Sequence, residues 1–182
     1  MTTIQRAIEF ATERHTGQTY AGKLPYTYHL GAVARVLKDF HYDDYVHQAS
    51  AWLHDVVEDT PTKLEEIEAE FGMDVARYVW TVSGFGVNRA AREADLFRKL
   101  DIFKPPAILK VADRIGNQDT TICDPDLKTP NIGKVKMYLK CRESFTTYMQ
   151  PWVPPIMWAR LEKQYTTMAE ILEREAAYEQ AT

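Results

Sequence analysis

Apolar residues that recur every three or four positions dominate this chain, and no segment alternates with the period of two that a half-buried strand requires. Ile4, Ala7, Ile8 and Ala11 open the series. A polar, glycine-containing loop over residues 16–25 separates them from Leu30, Val33, Ala34 and Leu37, which share one stripe of a second helix with His29 in its first turn. Ala49, Leu53, Val56 and Val57 make a third helix that breaks at Pro61. Thr62 and Glu65 read as a capping box for a short helix to Phe71, which Gly72 ends before a helix carrying Val75, Val79 and Val82. Residues 83–88, with two glycines, read as a flexible connection, and a charged helix covers 89–100. Pro105 and Pro106 open a helix with Ile108, Leu109, Ala112 and Ile115 inward, since a missing N–H costs least in the first turn. A turn-rich loop over 124–130, a helix start at Thr129-Pro130 and a proline-rich break over 151–155 precede a long C-terminal helix. The expectation is an all-α bundle of roughly eight to ten helices, forming one domain over residues 1–182.

Composition narrows the function classes. With a net charge of -4 and no long Lys/Arg block, the chain is not expected to coat nucleic acid by charge, so an anionic substrate needs local cations or a metal. No run of about 18 apolar residues and no signal-peptide pattern is present, so no membrane partner is expected and the protein should be soluble and cytoplasmic. Cys123 and Cys141 form no CxxC pair, and both read as reduced thiols.

Two segments carry chemistry. In His54-Asp55-Val56-Val57-Glu58-Asp59-Thr60, two adjacent metal-ligand types end an apolar helix, with two carboxylates one turn later on the same surface. A polar cluster at a helix end is the ordinary reading, yet it leaves unexplained why four polar groups sit where Leu53, Val56 and Val57 demand burial. In the second segment Asp113, Asn117 and Thr120 stand at i, i+4 and i+7, a polar stripe on a helix otherwise apolar on its inner side.

With the Gly17-Gln18, Gly22, Pro25-Tyr26 and His29 stretch upstream, and Ile67, Phe71-Gly72, Val75-Ala76 and Ala112-Asp113-Arg114 in order downstream, the chain resembles the hydrolase domain of the RelA/SpoT homologue superfamily. In length it looks like a stand-alone small alarmone hydrolase. The likeness covers roughly residues 4–140, and the helices over 141–182 carry no matching motif. It implies an HD-type bundle that removes the 3′-pyrophosphate from guanosine tetra- or pentaphosphate, a small-molecule nucleotide, with no synthetase half.

The resemblance further implies a manganese ion on His29, His54, Asp55 and Asp113, and the mixed imidazole and carboxylate set also suits other divalent ions. It implies that Glu58 and Asp59 orient or deprotonate the attacking water, with Glu58 the first choice. Asp59 pairing with a local amide or Arg114 is the competing reading. It implies that Asn117 and Thr120 contact ribose and phosphate, and that Tyr138 lies near the sugar. Lys23, Arg89, Arg92 and Arg114 are the candidate cations for the pyrophosphate, although Arg89 and Arg92 read first as a solvated helix face.

Three departures matter. Tyr20-Ala21 stands where the family carries Arg-Lys, which keeps a stacking ring but removes a cation, so adenosine alarmones join guanosine ones as expected substrates. Leu30 replaces a proline, and Gly116 replaces a bulkier residue. The competing functions are an HD phosphatase acting on NADPH or on deoxynucleotides, and a catalytically silent alarmone-binding module. The latter is disfavoured because every ligand and both acidic residues are kept.

Overall fold

The computed structural model describes residues 3–125 and 127–181. Its helices are α1 (Ile4–Arg14), α2 (Thr27–Asp39), α3 (Tyr45–Leu53), α4 (Val56–Asp59), α5 (Leu64–Phe71), α6 (Met73–Val82), α7 (Arg89–Ile102), α8 (Ala107–Ile122), α9 (Ile132–Lys140), α10 (Arg142–Met149) and α11 (Pro155–Ala181). The all-α expectation holds. Side chains at the starts explain several boundaries: Thr3, Asp44, Asn88 and Asn131 each accept a hydrogen bond from the backbone N–H three residues on. Gly72, at φ +91°, lets α5 end and α6 begin within one residue.

Four details differ from the sequence reading. Residues 16–25 contain a small antiparallel ladder, β1 (Thr19–Tyr20) with β2 (Leu24–Pro25), in register Thr19 to Pro25 and Tyr20 to Leu24. Two residues per strand are too few to show alternation. The third helix does not run through to residue 57 but ends at Leu53, and α4 starts afresh at Val56. There the Ala51 carbonyl, which a continuing helix would offer to Asp55, accepts from His54 Nδ1 at 2.9 Å. The acidic half of the capping box is Glu66, which accepts from the Lys63 N–H at 2.9 Å, one residue later than the Thr62 and Glu65 pair. Asn131, not Thr129, caps α9. The loop over 124–130 that precedes it includes Asp126, which lies outside the described residues.

α2 is central to the packing. It lies against α3 on one side and α8 on the other, α3 reaches α1 and α6, and α8 reaches α11. Leu30 belongs to a cluster with Ala7, Phe10, Leu53, Val56, Ile67 and Val79. Val33 and Leu37 belong to a second cluster with Leu109, Ile115, Met157, Leu161 and Tyr165. His29, His54 and Asp113 are therefore carried on elements clamped from both sides. Leu30 is fully buried, so in place of proline this chain gains a core side chain. Leu30→Ala is expected to lower the unfolding free energy by ~2–5 kcal/mol, measured by urea denaturation. A loss under ~1 kcal/mol would mean that the site collapses around the smaller side chain.

Candidate metal centre and adjoining cleft

Three elements converge on one point. α2 brings His29, the break between α3 and α4 brings His54 and Asp55, and α8 brings Asp113. His29 Nε2 lies 3.3 Å from His54 Nε2, 3.4 Å from Asp55 Oδ2 and 3.3 Å from Asp113 Oδ1. His54 Nε2 lies 3.0 Å from Asp55 Oδ2 and 3.8 Å from Asp113 Oδ1. Donors about 2.1 Å from a shared ion stand about 3.0 Å apart at neighbouring octahedral positions and about 3.4 Å apart in a tetrahedron. The measured separations span both values; His29, His54 and Asp55 form a group close enough to hold a divalent ion together, and Asp113 Oδ1 stands beside both histidines. His54 Nδ1 donates to the Ala51 carbonyl, so that once Nε2 gives up its proton its lone pair faces the cluster.

The electrostatics are those of a preformed cation site. Burial pulls the His54 imidazole down, but Asp55 and Asp113 outweigh it and push its pKa up to about 10. His29 is likewise raised against burial by Asp113 and Asp55. Burial raises both carboxyls, yet their cationic neighbours hold them well below the usual carboxylate range. Loading with a divalent ion such as Mn2+ at neutral pH is expected to displace about one proton, that of His54, and affinity should climb with pH up to the folded-state value of His54. Calorimetry in two buffers of different ionisation enthalpy reads this directly, and loading with no proton release would contradict it.

A hydrogen-bonded frame holds these side chains. Asn117 Nδ2 donates to Asp113 Oδ1 at 2.6 Å, and Tyr20 Oη donates to Asn117 Oδ1 at 3.0 Å while lying 2.6 Å from Thr120 Oγ1. The Tyr20 ring stacks on His29 with centroids 4.9 Å apart. The polar stripe of α8 thus meets the strand carrying Tyr20, and Tyr20 is 8% exposed, with its hydroxyl engaged. Lys23 lies in the exposed turn between β1 and β2.

Asp59 is paired neither with Arg114 nor through an amide to its carboxylate. Tyr26, to which the sequence reading gave no role, has its hydroxyl 2.8 Å from both Asp59 Oδ2 and Asp55 Oδ2, and Gln18 Nε2 donates to the Asp59 carbonyl at 2.9 Å. One hydroxyl hydrogen serves two carboxylates, and burial together with those charges raises the Tyr26 phenol strongly. Tyr26→Phe is expected to lower Mn2+ affinity by about 10-fold, read by calorimetry. Unchanged affinity would show that Asp55 keeps its place without the phenol.

Beside the metal centre opens a cleft of about 360 Å³ lined by Glu58, Arg89, Arg92, Glu93, Lys110 and Arg114, with Val82, Gly84, Leu96 and Phe145. Glu58 accepts from the Gly84 N–H at 3.1 Å, and Arg92 approaches its other oxygen at 3.7 Å. Burial raises the Glu58 carboxyl, and Asp55 and Asp59 add to the shift against Lys110 and Gly84. Lys110, also unassigned from the sequence, donates to Asp113 Oδ2 at 2.9 Å. Burial lowers its ammonium, and Asp113, Asp55 and Glu58 more than compensate, raising it to about 12. Arg114 is buried over the Phe145 and Tyr138 rings at 3.9 and 5.0 Å and donates to Cys141 Sγ. Arg89 and Arg92, read first as a solvated face, stand at this cleft, and Tyr138 is buried behind it.

A helical bundle that gathers two histidines and two aspartates on three of its elements, with a carboxylate and a cationic cleft alongside, has the architecture of an HD-type centre. The family model described as the HD domain matches residues 7–101, more than half of the chain, and the chain belongs to that family. Asp113 lies beyond the matched span and joins the site through geometry. The motif likeness to RelA/SpoT-type proteins is borne out. The chain is 36% identical over 141 residues to the guanosine-3′,5′-bis(diphosphate) 3′-pyrophosphohydrolase of Aquifex aeolicus (strain VF5), covering 74% of this chain and 20% of that protein. It is 34% identical over 125 residues to the bifunctional (p)ppGpp synthase/hydrolase SpoT of Escherichia coli (strain K12), covering 64% and 18%. The chain therefore spans about a fifth of the length of such relatives. A solved structure described as a metazoan orthologue of SpoT that hydrolyses ppGpp superposes with a TM-score of 0.71 at 19% identity, covering 94% of each chain, which shows a shared fold. No helix among the described residues is long and apolar enough to cross a membrane.

Proposed function

We propose that this chain is a metal-dependent phosphohydrolase that removes the 3′-pyrophosphate from a purine nucleoside 3′-diphosphate of the (p)ppGpp type. The observation that carries the reading is the adjacency of the cluster of His29, His54, Asp55 and Asp113 to a cleft with four cations, Arg89, Arg92, Lys110 and Arg114, in a chain of net charge -4. Such a local reversal of sign suits a polyphosphate tail. The activity for which the Aquifex aeolicus relative is named agrees with it.

A divalent ion, manganese in this proposal, supplies Lewis acidity toward a phosphoryl oxygen and makes water easier to deprotonate. Glu58, with its raised pKa, takes the proton from the attacking water. The water oxygen bonds to the phosphorus next to the ribose, the P–O3′ bond breaks, the 3′ oxygen gains a proton and pyrophosphate leaves. Lys110, Arg114, Arg89 and Arg92 neutralise the pyrophosphate, Tyr26 holds Asp59 beside Asp55, and the frame of Tyr20, Asn117 and Thr120 faces the sugar. Lys23 and Tyr138 complete the proposed contacts at the turn and behind the cleft. A cytoplasmic location and one functional domain over residues 1–182 belong to the same proposal.

The test is pyrophosphate release by the purified chain with Mn2+, comparing 3′-pyrophosphorylated guanosine and adenosine nucleotides, NADPH and deoxynucleoside triphosphates. Turnover of at least one alarmone is expected. Orthophosphate from NADPH with no alarmone turnover would replace the proposal by a phosphatase.

A further inference from the structure

Lys99 is the most deeply buried lysine or arginine of the described residues, at 2% exposure, yet it reaches neither the metal centre nor the cleft. Its ammonium lies 5.1 Å from the Trp80 ring centroid and 4.5 Å from that of Phe85, and pairs with Asp95 Oδ2 at 2.7 Å. A methionine would fill the space between two aromatic rings without the cost of burying a charge. What the ammonium adds is a donor: it hydrogen-bonds the Ser83 carbonyl at 2.8 Å.

That carbonyl belongs to the same peptide unit whose N–H, on Gly84, donates to Glu58 Oε2. In a planar trans peptide the C=O and N–H point in opposite directions, so fixing one fixes the aim of the other. Hydrogen bonds in series also polarise one another, and a cation on the carbonyl strengthens the N–H as a donor. The strap over residues 83–88 makes further hydrogen bonds beyond Gly84. Phe85 N–H donates to Asp95 Oδ2 at 3.1 Å, and Arg92 Nε donates to the Gly86 carbonyl at 3.4 Å. A Cβ on Gly84 would stand 2.9 Å from the Arg92 carbonyl oxygen, and one on Gly86 would stand 2.6 Å from Ala91 Cβ, so both glycines are needed for the strap to press against α7.

We infer that Lys99 is a positioning residue for Glu58, acting from behind the site through the Ser83–Gly84 peptide, with Asp95 holding both the ammonium and the next N–H of the strap. The inference rests on the catalytic reading of Glu58, but its structural half is measurable without substrate.

The activity arm is a double-mutant cycle. Lys99→Met is expected to lower kcat about tenfold while KM stays within about twofold, and in a Glu58→Gln background the same change should alter kcat less than about twofold. Rescue of kcat by Lys99→Arg, which keeps a donor, should accompany this. Equal losses in both backgrounds would reduce Lys99 to a purely structural role and overturn the inference. The second arm uses only the unmodified chain and Glu58→Gln, which avoids any folding defect at position 99. By nitrogen-15 NMR, the Gly84 amide and the Lys99 Nζ resonance should both move on Glu58→Gln. Movement of Gly84 with Lys99 unmoved would show that no signal passes through the peptide. If no nucleotide is turned over by the unmodified chain, the proposed reaction falls while the NMR arm still decides the relay.

Discussion

His54→Ala is expected to abolish metal-stimulated turnover and to weaken Mn2+ binding by more than about 100-fold. The side chain is 1% exposed and its Nε2 stands 3.0 Å from Asp55 and 3.3 Å from His29, so no neighbour can replace the lost donor. The damage extends to stability. Asp55 would keep only His29 as a cationic partner and Asp113 only His29 and Lys110, and removing one partner of a buried ionic group costs ~3–5 kcal/mol. Calorimetric Mn2+ titration and urea denaturation of the same preparation separate the two effects. Retention of tight Mn2+ binding would remove His54 from the ligand set.

Glu58→Gln should leave the metal centre intact and cut kcat by about 10²–10⁴-fold, the usual contribution of a general base. Glutamine keeps the shape and an oxygen that can accept the Gly84 N–H, but it cannot take a proton. Mn2+ affinity should stay near its original value, because Glu58 faces the cleft rather than the cluster of His29, His54 and Asp55. Full activity would pass the base to Asp59, which Tyr26 already holds at 2.8 Å.

Local pattern was enough to read a helical chain and to mark His54, Asp55 and Asp113 as polar side chains on apolar helices, and the reason is physical. A histidine and an aspartate after Leu53, or an aspartate within the Leu109 to Ile115 face, stand on a burial pattern that a solvated polar residue would not share. Lys110 carried no such mark: three residues before Asp113 on α8, it looks like any helix-surface lysine, and only the folded chain shows its ammonium turned onto Asp113 and toward Glu58. Tyr26 was equally silent, since its partners Asp55 and Asp59 lie 29 and 33 residues away in sequence. The Lys99 contact with Ser83 spans 16 residues and depends on how a glycine strap folds back on α7. The break at His54 was hidden because periodicity records which face is apolar, not which donor a carbonyl receives. Tyr20 shows the opposite effect: the sequence marked it as a ring open to a base, and the fold spends its hydroxyl on Asn117 and Thr120.

The most direct measurement of the central claim is anomalous diffraction at the manganese edge from crystals grown with Mn2+. The account requires one strong peak about 2.0–2.3 Å from His29 Nε2, His54 Nε2, Asp55 Oδ2 and Asp113 Oδ1 together, lost in His54→Ala and kept in Glu58→Gln. An ion bound elsewhere, or one that leaves Asp113 uncoordinated, would contradict it.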